Sequence, residues 1–156
     1  MIFVTVGTHY YGFERLIKKI DEIAGKIDEE VVAQIGSTRY KPKNMTYFSF
    51  MEDEEKFLEL YKKARIIITH GGVGNLFKIY SFQKPVIIVP RLKKFNEHID
   101  DHQLEITEVL KNEEEAVIVY DIEDLEDALK KAKKISIKEN KKLVSFLKNY
   151  IQDMKK

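Results

Sequence analysis

Residues 66–78 read I-I-I-T-H-G-G-V-G-N-L-F-K, residues 84–91 read K-P-V-I-I-V-P-R, and residues 96–105 read N-E-H-I-D-D-H-Q-L-E. Within this stretch two apolar runs of β type, Ile66–Thr69 and Val86–Val89, each end in a glycine-rich or polar loop. In open α/β sheets, ligands bind in the crevice outside the carboxyl ends of the strands. We therefore expect the ligand site at these loops and expect the rest of the chain to be its scaffold.

The loop after the first run contains three glycines in four positions, Gly71, Gly72 and Gly74. Glycines let the backbone approach a ligand without obstruction by a Cβ atom. We predict a helix from about Asn75 through Tyr80, with Asn75 as its N-cap, since asparagine is a favoured cap residue. The unpaired N–H groups at the start of such a helix suit a phosphate. From this loop alone, a glycine-rich turn without a ligand explains the pattern equally well.

The segment from Asn96 to Gln103 concentrates polar and titratable side chains. Three interpretations are open: a solvated helix start, a metal site, or a site where amides and carboxylates bind sugar hydroxyl groups. His98 and His102 are four residues apart and would share one face of a helix. The sequence has neither the H-E-x-x-H pattern of zinc proteases nor any cysteine. We therefore expect no metal site here.

The composition suits one domain, which we assign to residues 1–156, with 44% apolar residues to form a core. The formal net charge of +1 gives no indication of nucleic-acid binding. Because there is no cysteine, no disulfide framework is expected. Met1 is followed at once by a strand, and no stretch approaches the length of a transmembrane helix, so we expect a cytoplasmic protein.

Apolar strands alternate with amphipathic helices along the chain. This alternation predicts an α/β fold with a doubly wound, Rossmann-like parallel sheet and helices on both faces. The lysine-rich segment Lys130–Lys142 is interpreted as a charged connection. The predicted strands are about Ile2–Val6, Val31–Ile35, Thr46–Phe50, Ile66–Thr69, Val86–Val89 and Val117–Val119, and the predicted helices are about Gly12–Ala24, Glu52–Ala64, Asn75–Tyr80, Gln103–Leu110, Leu125–Ala132 and Lys141–Lys155.

Gly7, Thr8 and His9 repeat the strand–turn–helix arrangement at the end of the first strand. In a doubly wound sheet the first and fourth strands are neighbours at the point where the strand order reverses. We therefore expect the loops after these two strands to face one another and to hold a diphosphate between them. Taken alone, Gly7–His9 is equally consistent with a tight turn.

The motifs T-H-G-G-V-G-N, K-P-V-I-I-V-P-R and D-D-H-Q, together with V-T-V-G-T-H near the N-terminus, resemble the nucleotide-sugar half of GT-B glycosyltransferases. The chain is most similar to the glycosyltransferase family 28 C-terminal domain. Within that family it resembles the small PssE-like subunits of bacterial exopolysaccharide synthesis and the catalytic subunit of the eukaryotic N-glycan UDP-GlcNAc transferase. The resemblance covers about residues 1–130. It implies the C-terminal half of a GT-B fold, with a UDP-sugar as substrate and no cofactor.

The resemblance also implies roles for individual residues. The nucleobase is expected beside the Phe50–Met51 segment, for which two core residues at a strand end are the alternative. Asp101 and Gln103 match an element that contacts sugar or ribose hydroxyl groups. Arg91 would pair either with a donor carboxylate, as in UDP-glucuronate, or with Glu97 at the surface. The implied donor-binding set is Gly7, Thr8, Met51, Gly71, Gly72, Gly74, Asn75, Arg91, Glu97, His98, Asp101, His102 and Gln103.

One position departs from the family pattern. Many members carry a glutamate that binds the ribose eight residues after the loop histidine, and Lys78 stands there in this chain. Lysine cannot accept a hydrogen bond, so the ribose would have to be held in another way. His9 and His70 are the candidate catalytic acid or base residues, with phosphate binding or turn capping as the alternative for both.

Only the donor half of a two-domain GT-B enzyme is represented. The resemblance therefore implies the catalytic, donor-binding subunit of a two-component inverting glycosyltransferase in surface polysaccharide synthesis, acting on a lipid-diphosphate-linked acceptor. A membrane-anchored, acceptor-binding subunit would be its partner and would recruit it to the inner face of the cell membrane. A non-catalytic nucleotide-sugar-binding or partner-activating subunit is the alternative.

The last predicted helix, residues 141–155, is expected to dock that partner. Its apolar residues recur at helical spacing and form one continuous stripe that runs almost to the last residue. Packing of this stripe on the chain's own domain is the alternative. The stripe consists of Leu143, Phe146, Leu147, Tyr150, Ile151 and Met154.

Overall fold

Six parallel strands form one sheet in the computed structural model, which describes residues 1–112, 116–132 and 141–156, with side chains from residue 144 onward in the last segment. The order in the sheet is β3-β2-β1-β4-β5-β6, and each neighbouring pair is parallel. The order reverses between β1 and β4, which confirms the predicted doubly wound sheet. The strands are β1 (Ile2–Thr5), β2 (Val31–Gln34), β3 (Thr46–Phe48), β4 (Ile66–Thr69), β5 (Val86–Ile88) and β6 (Val117–Ile118).

Helices cover both faces of the sheet. One face packs against α1 and α5, and the other packs against α2, α3, α4 and α6. The helices are α1 (Glu14–Ala24), α2 (Glu54–Lys63), α3 (Val73–Ser81), α4 (His102–Asn112), α5 (Leu125–Ala132) and α6 (Lys141–Met154), with single-turn 3-10 helices at Lys93–Phe95 and Ile122–Asp124.

The core is divided by the sheet into two layers. Successive residues of a strand point to opposite faces, so Val4 belongs to the layer under α1 while Phe3 belongs to the layer under α2 and α3. Both side chains are fully buried. Burying a large apolar side chain contributes roughly 1.5–3 kcal/mol, and this two-sided burial explains why the central strands read as continuous apolar runs.

Every predicted strand and helix is present, with ends that differ by one or two residues. One local prediction is wrong: Asn75 is not the N-cap of α3. The helix begins at Val73, its cap residue is Gly72, and no side chain caps it. Asn75 therefore lies in the first turn of α3, where its side chain has other partners.

Helix α6 packs on α3 and closes the second core layer. Leu147 is fully buried in that layer, and the ammonium group of Lys148 lies 5.8 Å from the ring centre of Phe77. Phe146 is 37% exposed and Met154 is 70% exposed. The apolar stripe is therefore divided: part packs internally, as the alternative interpretation states, and part faces outward. The Leu143 side chain and the connection at 133–140 lie outside the described residues.

The structure contains no helix, in the part of the chain that it describes, that is long and apolar enough to cross a bilayer.

Candidate functional site

The two loops predicted to face one another meet at the carboxyl ends of β1 and β4. Thr5 and Thr69 are paired in register, and the hydroxyl group of Thr69 donates to the carbonyl oxygen of Thr5 at 2.9 Å. The loop that begins at Gly7 therefore lies beside the start of α3. Two neighbouring cavities open at this point, and Gly7, Thr8, Gly74 and Asn75 line both of them. We call these four residues the shared floor.

The first cavity, which we call the aromatic chamber, has a volume of about 300 Å³. Phe50, Met51, Phe57, Tyr61 and Lys78 line it beyond the shared floor, with Thr5 and Gln34 beneath. Phe50 is 55% exposed, so it is not a core residue, and β3 ends before it at Phe48. The chamber thus offers aromatic faces and one cation.

The second cavity, which we call the histidine chamber, has a volume of about 610 Å³. Three imidazoles reach it from three different loops: His9 after β1, His70 after β4 and His98 after β5. Tyr10, Gly72, Val73, Arg91 and Gln103 complete its wall. The fold therefore brings together residues that are 89 positions apart in sequence, from His9 to His98.

Asn75 connects the shared floor to helix α2 and strand β4. Its side-chain oxygen accepts a hydrogen bond from the hydroxyl group of Tyr61 at 2.7 Å, and its side-chain nitrogen donates to the hydroxyl group of Thr69 at 2.6 Å. Burial raises the pKa of Tyr61 to about 12, so its phenol stays protonated and remains a donor. These contacts fix the Asn75 side chain and leave the backbone N–H groups of the first turn of α3 facing the chambers.

His70 is uncharged at neutral pH. Burial, with a smaller effect from the nearby charge of Arg91, lowers the pKa of His70 to about 3. The backbone N–H of Gly72 donates to Nδ1 at 2.9 Å, and the side-chain amide nitrogen of Gln103 lies 3.2 Å from the same atom. Both neighbours are donors, so Nδ1 is the acceptor and the proton resides on Nε2. A group with this pKa is poorly suited to general acid or base catalysis near neutral pH, which favours the alternative role of phosphate binding for His70.

The Nε2 atom of His70 is buried and has no hydrogen-bond partner among the described residues. Gly7, whose φ angle is +76°, lies against it, and a Cβ atom at Gly7 would be 2.7 Å from Nε2. An unpaired buried donor is costly by about 1–3 kcal/mol. The site therefore contains a neutral N–H donor that an incoming acceptor group would satisfy.

The three loop glycines have different reasons to be glycine. A Cβ atom at Gly72 would be 2.1 Å from Cε1 of His70, and one at Gly71 would be 2.9 Å from Cβ of Gln103. These two positions make room for buried side chains. A Cβ atom at Gly74 would meet nothing within 4 Å. Gly74 is therefore the glycine whose side-chain position opens into the cavities.

Arg91 is buried rather than exposed, and its guanidinium group binds backbone carbonyl groups. Its terminal nitrogens donate to the carbonyl oxygens of Val6, Tyr11, Gly12 and Glu97 at 2.7–3.1 Å. Burial lowers the pKa of Arg91 to about 10, so it remains charged at neutral pH. The alternative of a surface pair between Arg91 and the Glu97 carboxylate is thus wrong, because Arg91 is buried and its terminal nitrogens bind these carbonyl groups.

Glu97 pairs with Arg15 instead. Its carboxylate accepts from Nε and a terminal nitrogen of Arg15 at 2.8 and 3.0 Å, and also from the backbone N–H of Leu92 at 3.0 Å. Glu97 is 3% exposed. Its oxygens are committed to holding the loop after β5 on α1, which leaves none directed into either chamber.

Gln103 also serves the scaffold. Its side-chain oxygen accepts from the backbone N–H groups of Gly71 and Arg91, both at 2.9 Å, so one amide ties the loops after β4 and β5 together.

Asp101 accepts from the backbone N–H of Lys93 at 2.8 Å, and the His102 side chain is 66% exposed. Neither Asp101 nor His102 lines a chamber. The helical face that His98 and His102 were expected to share does not exist, because α4 begins only at His102.

His9 and His98 stack on one another, with ring centres 4.9 Å apart. Burial, followed by the charges of His98 and Arg91, lowers the pKa of His9. Within the described ranges, no group of three or more His, Cys, Asp or Glu side chains is placed to hold a metal ion.

Gln34 is a site residue that sequence reasoning missed. Its side-chain oxygen accepts from the hydroxyl group of Thr5 and from the backbone N–H of Gly7, and its nitrogen donates to the carbonyl oxygens of Gly7 and Ser49. It thereby fixes the loop at Gly7 against the end of β3. The feature of the sequence that could have indicated it is the position of Gln34, a polar residue at the carboxyl end of the otherwise apolar strand V-V-A-Q.

Comparison with known proteins places the chain in a family. Residues 1–155 match the model of the glycosyltransferase family 28 C-terminal domain. The chain is 24% identical over 83 residues to a protein of Debaryomyces hansenii and 30% identical over 122 residues to a human protein, each named UDP-N-acetylglucosamine transferase subunit ALG13. These alignments cover 53% and 72% of this chain, but only 38% and 10% of the relatives.

The fold is shared with larger solved structures. The glycosyltransferase of kitacinnamycin superposes with a TM-score of 0.64 at 16% identity, over 99% of this chain and 39% of that one. MurG of Acinetobacter baumannii superposes with a TM-score of 0.57 at 19% identity, over 82% of this chain and 40% of that one. Together with the family match, the sheet order and the glycine loop at the start of α3, these likenesses show that the chain belongs to the glycosyltransferase family 28 C-terminal domain family, with a GT-B type Rossmann-like fold.

Proposed function

We propose that the chain is the catalytic, donor-binding subunit of a two-component, inverting, metal-independent glycosyltransferase. It transfers a sugar from a UDP-sugar to a lipid-diphosphate-linked acceptor in surface polysaccharide synthesis. The observation that carries this proposal is the shared floor, where the start of α3 lies between an aromatic chamber and a histidine chamber. The name of the ALG13 relatives supports a sugar-nucleotide donor and a subunit role.

The diphosphate of the donor lies on the shared floor. The first N–H groups of α3 have no partner within the helix, and the helix dipole places partial positive charge there. Gly74 leaves the approach open. His70 adds a neutral N–H beneath Gly7, which a small displacement of the Gly7–Thr8 segment makes available. All these groups stabilise negative charge on UDP as the bond to the sugar breaks, which is the main catalytic requirement of this transfer.

The nucleoside lies in the aromatic chamber, against Phe50 and Met51. Lys78 stands at the far side, 4.0 Å from the carboxylate of Glu54 and 6.0 Å from the ring centre of Phe57. It donates to ribose oxygens or interacts with phosphate, in place of the acceptor group found in many members of the family. The sugar then occupies the histidine chamber, whose volume of about 610 Å³ is ample for a hexose.

A membrane-anchored, acceptor-binding subunit completes the enzyme. The outward-facing part of the α6 stripe, including Phe146 and Met154, is available for its docking. This association places the chain at the inner face of the cell membrane. Lys130, Lys131 and Lys148, exposed on α5 and α6, suit an anionic membrane surface nearby.

A second candidate function is a non-catalytic, nucleotide-sugar-binding or partner-activating subunit. The presence of Lys78 in the aromatic chamber is the observation that favours it, since a lysine cannot accept hydrogen bonds from the ribose hydroxyl groups. The two functions differ in turnover rather than in binding.

Calorimetric titration with UDP and UDP-GlcNAc, followed by a UDP-release assay with and without the partner purified from the native host, separates the two functions. The first function predicts binding and partner-dependent turnover that is lost in Gly74→Val. Binding without turnover in the presence of partner and acceptor would favour the non-catalytic subunit, and absence of nucleotide binding would contradict both.

A further inference from the structure

One imidazole of the histidine chamber is oriented by a carboxylate. Nδ1 of His98 lies 2.9 Å from Oδ1 of Asp100. A hydrogen bond from the backbone N–H of His102, at 3.1 Å, is the main reason that the pKa of Asp100 is below its ordinary value, so this carboxylate is ionised. The backbone N–H of Asp100 also lies 3.4 Å from Nδ1, but the shorter contact to the carboxylate dominates. Nδ1 of His98 therefore carries the proton, and Nε2 is left as a base.

The other two imidazoles of the chamber also receive a backbone N–H at Nδ1 from the residue two positions on, but within the residues that the structure describes no contact to a carboxylate is found there that would favour a proton on that atom. Nδ1 of His70 accepts from the backbone N–H of Gly72, and Nδ1 of His9 accepts from the backbone N–H of Tyr11 at 3.3 Å. In their neutral forms both rings therefore carry the proton on Nε2 and act as donors there. Among the three imidazoles that line the chamber, His98 is the one whose Nε2 atom is unprotonated.

His98 is placed where a reacting hydroxyl group has access to it. It lines the histidine chamber, its side chain is 19% exposed, and its ring is held by stacking on His9. No hydrogen-bond partner of Nε2 is found in the described parts of the chain. The charged or titratable groups around the ring are Asp100, His9, His70 and Arg91. Of these, Asp100 stabilises the imidazolium that forms when Nε2 takes up a proton.

We propose that His98, positioned by Asp100, is the general base of the transfer reaction, so that this chain rather than its partner supplies the base. The assignment rests on the proposed function. Nε2 of His98 takes the proton of the acceptor hydroxyl group while its oxygen forms a bond to C1 of the sugar. The bond between C1 and the phosphate oxygen breaks, and its electron pair leaves on UDP. When water takes the place of the acceptor, the same steps hydrolyse the UDP-sugar.

The test is UDP release from UDP-GlcNAc in water by the full chain together with the partner purified from the native host, compared among variants between pH 5.5 and 9. A positioned general base contributes roughly 10²–10⁴-fold. We expect His98→Gln to lower kcat by at least about 100-fold with UDP affinity unchanged by calorimetry, and Asp100→Asn to lower kcat less and to change the pH profile. Added imidazole should partly restore His98→Ala. Glu105→Gln is the matched control, because Glu105 is an exposed carboxylate in the first turn of α4 that lies outside both chambers.

An unchanged kcat in His98→Gln would overturn the assignment, and so would a loss of kcat of equal size in Glu105→Gln. Failure of the wild-type protein to bind any UDP-sugar would instead contradict the proposed function, so the two failures are distinguishable.

Discussion

The side-chain nitrogen of Gln103 lies 3.2 Å from Nδ1 of His70. Gln103 lies in the first turn of α4, so this contact lets α4 set the orientation of the His70 ring. That ring lies against both Gly7 and Gly72. The oxygen of the same amide accepts from the backbone of both neighbouring loops. Gln103 thus connects the loop after β4, the loop after β5 and the buried histidine, and the geometry of the donor site depends on it.

We expect Gln103→Ala to destabilise the protein rather than only to weaken sugar binding. The substitution leaves the buried N–H groups of Gly71 and Arg91 without an acceptor, and each such group costs roughly 1–3 kcal/mol. Urea unfolding should therefore show a loss of about 2–4 kcal/mol. Gln152→Ala, on the exposed face of α6, is the control and should change little. Unaltered stability of Gln103→Ala, with a selective loss of UDP-sugar over UDP, would restore the sugar-contacting role.

We expect His70 to make stability depend on pH. The ordinary pKa of 6.5 applies to the unfolded chain, and the folded pKa is about 3. As the pH falls from 7.5 to 5.0, the unfolded chain binds a proton and the folded chain does not, so stability is lost on acidification. His70 alone accounts for about 2 kcal/mol of this loss at 1.36 kcal/mol per pKa unit.

Urea unfolding at the two pH values measures this effect when wild-type protein is compared with His70→Asn, whose amide does not titrate. The difference between pH 7.5 and 5.0 should shrink by about 2 kcal/mol in the variant. His102→Gln removes an exposed imidazole and should leave the wild-type difference in place. An equal pH dependence of stability in wild type and His70→Asn would contradict this account, because it would show that the His70 ring binds a proton in the folded protein as readily as in the unfolded chain.

The division of the α6 stripe predicts two separable effects. Leu147→Ala removes a fully buried side chain and should cost about 2–4 kcal/mol of stability. Phe146→Glu combined with Met154→Glu changes exposed positions and should leave both stability and UDP binding intact while abolishing capture of the partner. Co-purification with the partner from the native host is the measurement. Capture by the double variant at the wild-type level would mean that the partner docks elsewhere.

Truncation after Asn140 does not isolate partner docking, because it removes Leu147 from the core layer under α3. Since α3 carries the shared floor, we expect the truncated chain to lose UDP binding together with stability.

The sequence predicts the sheet well, and cavities open at the loops where it places the ligand site, for physical reasons. The apolar runs at Ile66 and Val86 are long enough to specify buried parallel strands, and glycines immediately after a strand mark a close backbone approach. The identity of each side chain's partner is not predictable in the same way. Arg91 and Glu97 are polar residues in a polar segment, and only the tertiary structure shows that both are buried and bound to other elements.

The glycine loop illustrates the same limit at shorter range. The sequence gives Gly72 and Gly74 the same predicted role. The position of the His70 ring distinguishes them, because Gly72 is required for packing against that ring and Gly74 leaves the cavity open. Gln34 and Asn75 likewise act through contacts with residues 27 and 14 positions away, which no local pattern encodes.

The most direct test of the shared floor is calorimetric titration of Gly74→Val with UDP. A Cβ atom at Gly74 meets no protein atom within 4 Å, so the variant should fold normally while its side chain occupies the phosphate position. Glu55→Val places valine at the same position of α2, second after the N-cap, and controls for the effect of valine on a helix start. We predict wild-type UDP affinity for Glu55→Val and loss of UDP binding for a folded Gly74→Val. Wild-type affinity in Gly74→Val would contradict the placement of the diphosphate at the start of α3.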